Sequence, residues 1–99
     1  MCTSTERELW SERTRDCVQK WVNTMAAYVK TLDRNHLLTV GEEGFWSTTQ
    51  DRLLSNPIYE PGGTNWAPDE GQDFFADHSS PSIDFATFHS WIDNWNVSA

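Results

Sequence analysis

Residues 14–44, TRDCVQKWVNTMAAYVKTLDRNHLLTVGEEG, decide how this chain is read. Val18, Trp21, Val22, Met25, Ala26, Val29 and Leu32 recur at steps of three and four. That spacing lays an apolar stripe along one face of a helix over residues 14–32. Arg15, Gln19, Asn23 and Lys30 fall mainly on its polar side, and Asp33-Arg34-Asn35 stops it. Leu37-Leu38-Thr39-Val40 follows, apolar or β-branched without polar alternation. Such a run fits a strand covered on both faces, as in a parallel sheet. Gly41-Glu42-Glu43-Gly44 ends the strand and turns it into a loop.

Upstream, Met1 to Arg13 has Leu9 and Trp10 but no clean period, and reads as loop with at most a short helical turn. Downstream, residues 45–69 form a long loop by composition, with Pro57, Pro61, Pro68, Gly62 and Gly63. Arg52-Leu53-Leu54 fits one turn of helix within it. A loop of this length is usually functional or disordered, and Trp46, Tyr59 and Trp66 speak against disorder. A short helix is predicted over 70–77, with Asp69 as its N-cap, Phe74 and Phe75 toward a core, and Pro81 marking its end. Ile83 to His89 reads as a second strand. Ile83, Phe85, Thr87 and His89 share one face; Asp84, Ala86, Phe88 and Ser90 share the other. The order helix, strand, loop, helix, strand is α/β, with one βαβ unit and a right-handed crossover. Such a unit has two open sheet edges and needs neighbours to cover its faces.

The 99 residues allow one small domain at most. Seven Lys+Arg against 15 Asp+Glu give a net charge of −8, which repels phosphate backbones and argues against a nucleic-acid partner. No apolar run of about 18 residues is present to span a membrane. MCTSTERELWSER, residues 1–13, is too polar to be a signal peptide. The apolar share is 37% with six Trp, so few large side chains carry the burial and the chain should be marginal alone. Cys2 and Cys17 cannot make a disulfide scaffold; they read as free thiols, with Cys17 packed on the helix.

Glu42 and Glu43 look like a carboxylate pair, but adjacent strand residues point to opposite faces, so both cannot flank one bond. The bland reading is a strand end with one buried and one solvated acid; the other has one of them lining a site there. His36, His78 and His89 have no metal-ligand spacing, and no phosphate loop or nucleophilic serine motif occurs. No metal and no cofactor are expected. His89 closes the second strand at its carboxyl end, where α/β folds place ligands. Trp91 and Trp95 follow it, and aromatic faces stack on sugar rings. Asn96-Val97-Ser98 fits a glycosylation sequon.

Two strings carry a resemblance: WVNTMAAYVKTLDRNHLLTVGEEGFW, residues 21–46, and GQDFFADHSSPSIDFATFHSWIDNW, residues 71–95. They resemble, in order and at a plausible distance, endo-β-1,4-mannanases of glycoside hydrolase family 5, of the plant, algal and fungal type. The resemblance implies a (β/α)8 TIM barrel, of which residues 1–99 form a partial catalytic domain from roughly helix 4 to strand 6. It implies retaining hydrolysis of mannan, galactomannan or glucomannan outside the cell, by two glutamates that lie outside this chain. The family's Asn-Glu-Pro motif does not occur here, so the chain alone is expected to be inactive. Glu43 is similar to the family's strand-five glutamate, and His89 to the histidine beside the scissile bond. Trp91 stands where the family usually has tyrosine, and lacks its hydroxyl; Trp46 and Trp95 are further candidate substrate contacts. The alternative is a non-catalytic carbohydrate-binding or interaction module.

Overall fold

The computed structural model describes residues 6–47, 51–57 and 65–91. Three α-helices are present among them: α1 (Glu6–Leu32), α2 (Trp66–Asp69) and α3 (Phe74–His78), with a 3-10 helix at Asp51–Ser55. The 3-10 helix falls on the turn expected at Arg52 to Leu54. Residues 48–50 and 58–64 of the long loop, Cys2, Trp95 and the sequon lie outside the described residues.

α1 starts eight residues before the periodic stretch. Glu6 to Arg13 has no apolar period, but ERELWSER is rich in helix formers, and propensity extends the helix where pattern gives no signal. The buried stripe is narrower than the periodic one. Val22 is 2% exposed and Ala26 is buried with it, whereas Trp21, Met25 and Leu32 are exposed. Cys17 is free and exposed rather than packed. α1 ends in an Asx turn. Asp33 Oδ1 accepts the backbone N–H groups of Asn35 (2.9 Å) and His36 (3.2 Å). Lys30 Nζ donates to His36 O (3.0 Å) and to the Asp84 carboxylate.

The helix expected over 70–77 is instead two short helices with a break. Gly71 sits in the break at φ +95°, and a Cβ there would come within 2.7 Å of the Thr14 carbonyl carbon. The turn therefore needs a left-handed residue without a side chain, pressed on the α1 backbone. Asp73, not Asp69, caps the second helix, its side chain accepting from Ala76 N (2.9 Å). Asp69 reaches back instead, Oδ2 accepting from Asn65 N (3.1 Å). Phe45 is the hub of a thin core. Its ring meets Trp66 edge-on at 5.2 Å, and its carbonyl accepts from Phe74 N (3.1 Å). Phe74 is half-buried and Phe75 exposed.

The two expected strands are the main departure: no strand forms among the described residues. Segments 37–43 and 83–89 do run side by side and parallel. Asp84 N donates to Leu38 O (2.8 Å), and His89 N to Glu43 O (3.2 Å). Between those points side chains occupy the backbone groups a ladder would use. Leu38 N donates to Asp84 Oδ2 (2.8 Å), Thr39 Oγ1 to Phe85 O (2.7 Å), and Thr87 Oγ1 to Val40 O (3.2 Å). The two backbone bonds are five residues apart, an odd step that a regular ladder of alternate residues does not allow. The facing pattern breaks accordingly. Ile83 and α1 (Trp21, Val22, Met25) line an open cleft of about 230 Å³. Phe88, which alternation sets on the face opposite Ile83, is 68% exposed.

Candidate functional site

Gly44 adopts φ +100° and leaves no room for a Cβ, which would stand 2.6 Å from Phe88 Cβ. This close approach seats the turn at Glu43 beside His89. The Glu43 carboxylate lies 3.0 Å from His89 Nδ1. That contact favours a proton on Nδ1 and leaves Nε2 as the second functional atom of the ring. The His89 side chain is 52% exposed. The Trp91 ring meets it edge-on, centroids 6.2 Å apart at 87°. Three of the residues singled out from sequence, Glu43, His89 and Trp91, thus form one exposed group.

Trp46 belongs to a second group. Asn56 holds its backbone from both sides: Trp46 N donates to Asn56 Oδ1 (2.7 Å), and Asn56 Nδ2 donates to Trp46 O (2.8 Å). The Arg52 guanidinium lies over the indole at 5.3 Å, and Phe74 meets it edge-on at 6.3 Å. The indole is thereby fixed by a buried amide and faced by a cation.

Of the two adjacent acids, Glu42 is buried, while Glu43 is partly exposed and held against His89; no strand ends there. Burial first, then the hydrogen bond and charge of Asp77, then the charge of Asp73, push the Glu42 carboxyl up to about 8. Burial also raises the Asp77 carboxyl. His78 sits beside them, Nδ1 3.9 Å from Glu42 Oε1. Its Nδ1 lies 2.8 Å from Phe74 O, and its Nε2 lies 3.4 Å from Thr87 N and 3.3 Å from Val40 O. Asn56, Asp77 and His78 are not flagged by the sequence. The only signal for Asp77 is its i+4 spacing from Asp73, which becomes readable once Asp73 is known to be the cap. No group of three or more His, Cys, Asp or Glu among the described residues could hold a metal ion.

A family model described as GH family 5 beta-mannosidase-like matches residues 3–98. The chain belongs to this family. It is 40% identical over 91 residues to mannan endo-1,4-beta-mannosidase 2 of Arabidopsis thaliana, covering 91% of this chain and 20% of that protein. It is 42% identical to mannan endo-1,4-beta-mannosidase 2 of Oryza sativa subsp. japonica, covering 86% of this chain and 18% of the relative. Mannan endo-1,4-beta-mannosidase F of Aspergillus clavatus is 36% identical, over 84% of this chain and 17% of its own length. The chain thus spans about a fifth of the length of these relatives. No solved structure gives a significant match. Membership in family 5, a glycoside hydrolase family, implies a (β/α)8 barrel. No helix among the described residues is long and apolar enough to cross a membrane.

Proposed function

We propose that this chain supplies part of the substrate cleft of an endo-β-1,4-mannanase acting on mannan, galactomannan or glucomannan outside the cell. Within the barrel it would run from about helix 4 to strand 6, as a partial catalytic domain. The observation that carries the reading is the Glu43–His89 contact at 3.0 Å on an exposed face beside Trp91. Glu43 accepts from Nδ1–H and holds the imidazole in one tautomer, so Nε2 accepts a hydrogen bond from a sugar hydroxyl. Trp91 offers an indole face for a pyranose ring and one N–H donor, in place of a phenol. Trp46, its backbone anchored by Asn56, serves as an outer stacking platform, and Trp95, outside the described residues, is a further proposed substrate contact.

Cleavage with retention needs two carboxyl groups about 5–5.5 Å apart across the scissile bond, one acid/base and one nucleophile. We assign neither role to a residue of this chain. Glu43 is engaged by His89, and Glu42 is buried against Asp77. The chain by itself therefore binds without cleaving.

The test is native electrophoresis of the purified chain through gels containing galactomannan, together with a reducing-end assay. The expected result is retardation that His89→Ala diminishes, with no sugar released. Turnover that disappears with Glu43→Gln alone would overturn the placement of both catalytic glutamates elsewhere. Migration unaffected by galactomannan would overturn the binding role.

A further inference from the structure

Glu42 and Asp77 take no part in the proposed cleft, yet both are buried acids, and Glu42 adjoins Glu43 in the chain. Asp77 is 1% exposed and Glu42 9%. No donor among the described residues stands in full hydrogen-bonding geometry to any of the four carboxyl oxygens, and the Asp73 backbone N–H only partly offsets the burial of Asp77. Two ionised carboxylates cannot persist in that state, because burial without donors penalises each charge and their proximity penalises both. One proton resolves the conflict: the protonated carboxyl donates its O–H to the other carboxylate, as in other close carboxylate pairs. The two residues come from different parts of the chain. Glu42 is in the Gly41–Gly44 turn and Asp77 is on α3. A proton between them is therefore a tie between those segments.

We propose that Glu42 and Asp77 share one proton, and that this proton is a pH-sensitive latch holding α3 against the turn that carries Glu43. The surroundings favour release as pH rises. Asp73, the α3 cap, adds a like charge to both carboxyls. Among the described residues, His78 is the group beside the pair able to carry positive charge, and its charge opposes that of Asp73 at Asp77; its Nδ1 lies against Phe74 O. Glu43, adjacent in sequence, has its carboxylate against His89. From α1 the near group is the uncharged amide of Gln19, whose Nε2 reaches Ala76 O at 3.5 Å. Once the shared proton leaves, two buried anions face each other with Asp73 behind them, and α3 is driven from the turn. His78 then loses its hold on Thr87, and the turn no longer presents Glu43 to His89.

The direction follows from linkage. In the unfolded chain Glu42 ionises near 4.5, whereas in the fold it keeps its proton to about 8. Between those values the unfolded state binds fewer protons, so stability falls as pH rises and levels off above about 8. The inference does not depend on which polysaccharide is bound.

The test is urea unfolding of the whole chain from pH 5 to 9, followed by Trp fluorescence, with Asp77→Asn and Glu42→Gln alongside. Carboxyl-¹³C NMR titration of the unmutated chain supplies a second readout. The unfolding equilibrium constant of the unmutated chain should rise by up to tenfold per pH unit across this window. The slope should shrink in both variants, where an amide N–H donates without needing a shared proton. One carboxyl signal should titrate near 8. Equal slopes in all three proteins, or both carboxyls titrating below pH 5, would overturn the proposal. If the variants do not fold, the ¹³C titration decides. An unmutated chain with no cooperative transition at pH 5 also overturns it, because the pair exists only with α3 docked.

Discussion

Gly71→Ala probes the contact that docks the α2–α3 turn on α1. A methyl group at this position would lie 2.7 Å from the Thr14 carbonyl carbon, 2.8 Å from Arg15 N and 2.9 Å from Thr14 Cγ2. The first two are backbone atoms of a helix, so they cannot swing aside. The φ of +95° adds the left-handed cost of an L-residue, roughly 1–2 kcal/mol. Overpacking against fixed atoms adds about 1–3 kcal/mol. Together these give about 2–5 kcal/mol, and for a chain of this size each kcal/mol lowers Tm by about 4–8 °C. Gly41→Ala is the matched control, since its added Cβ would meet nothing within 4 Å. Thermal unfolding monitored by circular dichroism should show Gly71→Ala melting at least 8 °C lower, if it folds at all, with Gly41→Ala close to the unmutated chain. Equal melting temperatures for Gly71→Ala and the unmutated chain would refute the claim that this turn is pinned to the α1 backbone.

Asn56→Ala should cost about 1–3 kcal/mol, because the Trp46 N–H and C=O both lose a buried partner; urea titration reads it, and no change would mean that water replaces the amide. Phe88→Leu should leave Tm nearly unchanged, since Phe88 is exposed and the Cβ that meets Gly44 is retained; a large drop in a melting curve would mean that the ring is covered in solution. His89→Ala in a complete enzyme carrying this segment should lower kcat/KM about a hundredfold or more, by analogy with losing a transition-state donor worth about 2.7–4 kcal/mol; near-normal steady-state kinetics would remove His89 from the cleft. The Asp84 carboxyl is held below its usual range, first by the hydrogen bond from Lys30 and then by the Leu38 N–H. Its stabilisation is present above the ordinary value of 3.8 and is lost as pH falls through the lower folded value. Asp84→Asn should therefore flatten the acid side of a stability profile measured from pH 2 to 5, and an unchanged profile would contradict the Lys30 tie.

The helix was legible because Val22 and Ala26 sit on a 3.6-residue period, a signal that survives without knowledge of the partner. Its first eight residues were not, because propensity carries them and apolar spacing does not. The runs at 37–40 and 83–89 read as strands by their composition, yet they form none; they lie side by side in parallel sense, joined by two backbone bonds. Thr39, Thr87 and Asp84 look like ordinary residues of such segments, and only in three dimensions do their side chains take the backbone partners. Helix α3 was misplaced because Asp69 and Asp73 are equally good caps by type. Gly71, four residues before Phe75, held the deciding information in its φ and not in its spacing. Of the candidate site, Glu43, His89 and Trp91 could be named from the chain because they cluster at segment ends. Asn56, Asp77 and His78 could not, since each acts through a partner between 9 and 38 residues away in sequence.

The most direct measurement is a long-range ¹H–¹⁵N spectrum of the His89 side chain while β-1,4-mannohexaose is added to the chain. Before addition, the account predicts a proton on Nδ1, held by Glu43, and an unprotonated Nε2. On addition, Nε2 should shift in a saturable manner while Nδ1 stays protonated, and Glu43→Gln should weaken that response. An imidazole whose nitrogens do not respond to the saccharide at any concentration, in a chain that is folded by the same spectrum, would contradict the placement of His89 in a mannan-binding cleft.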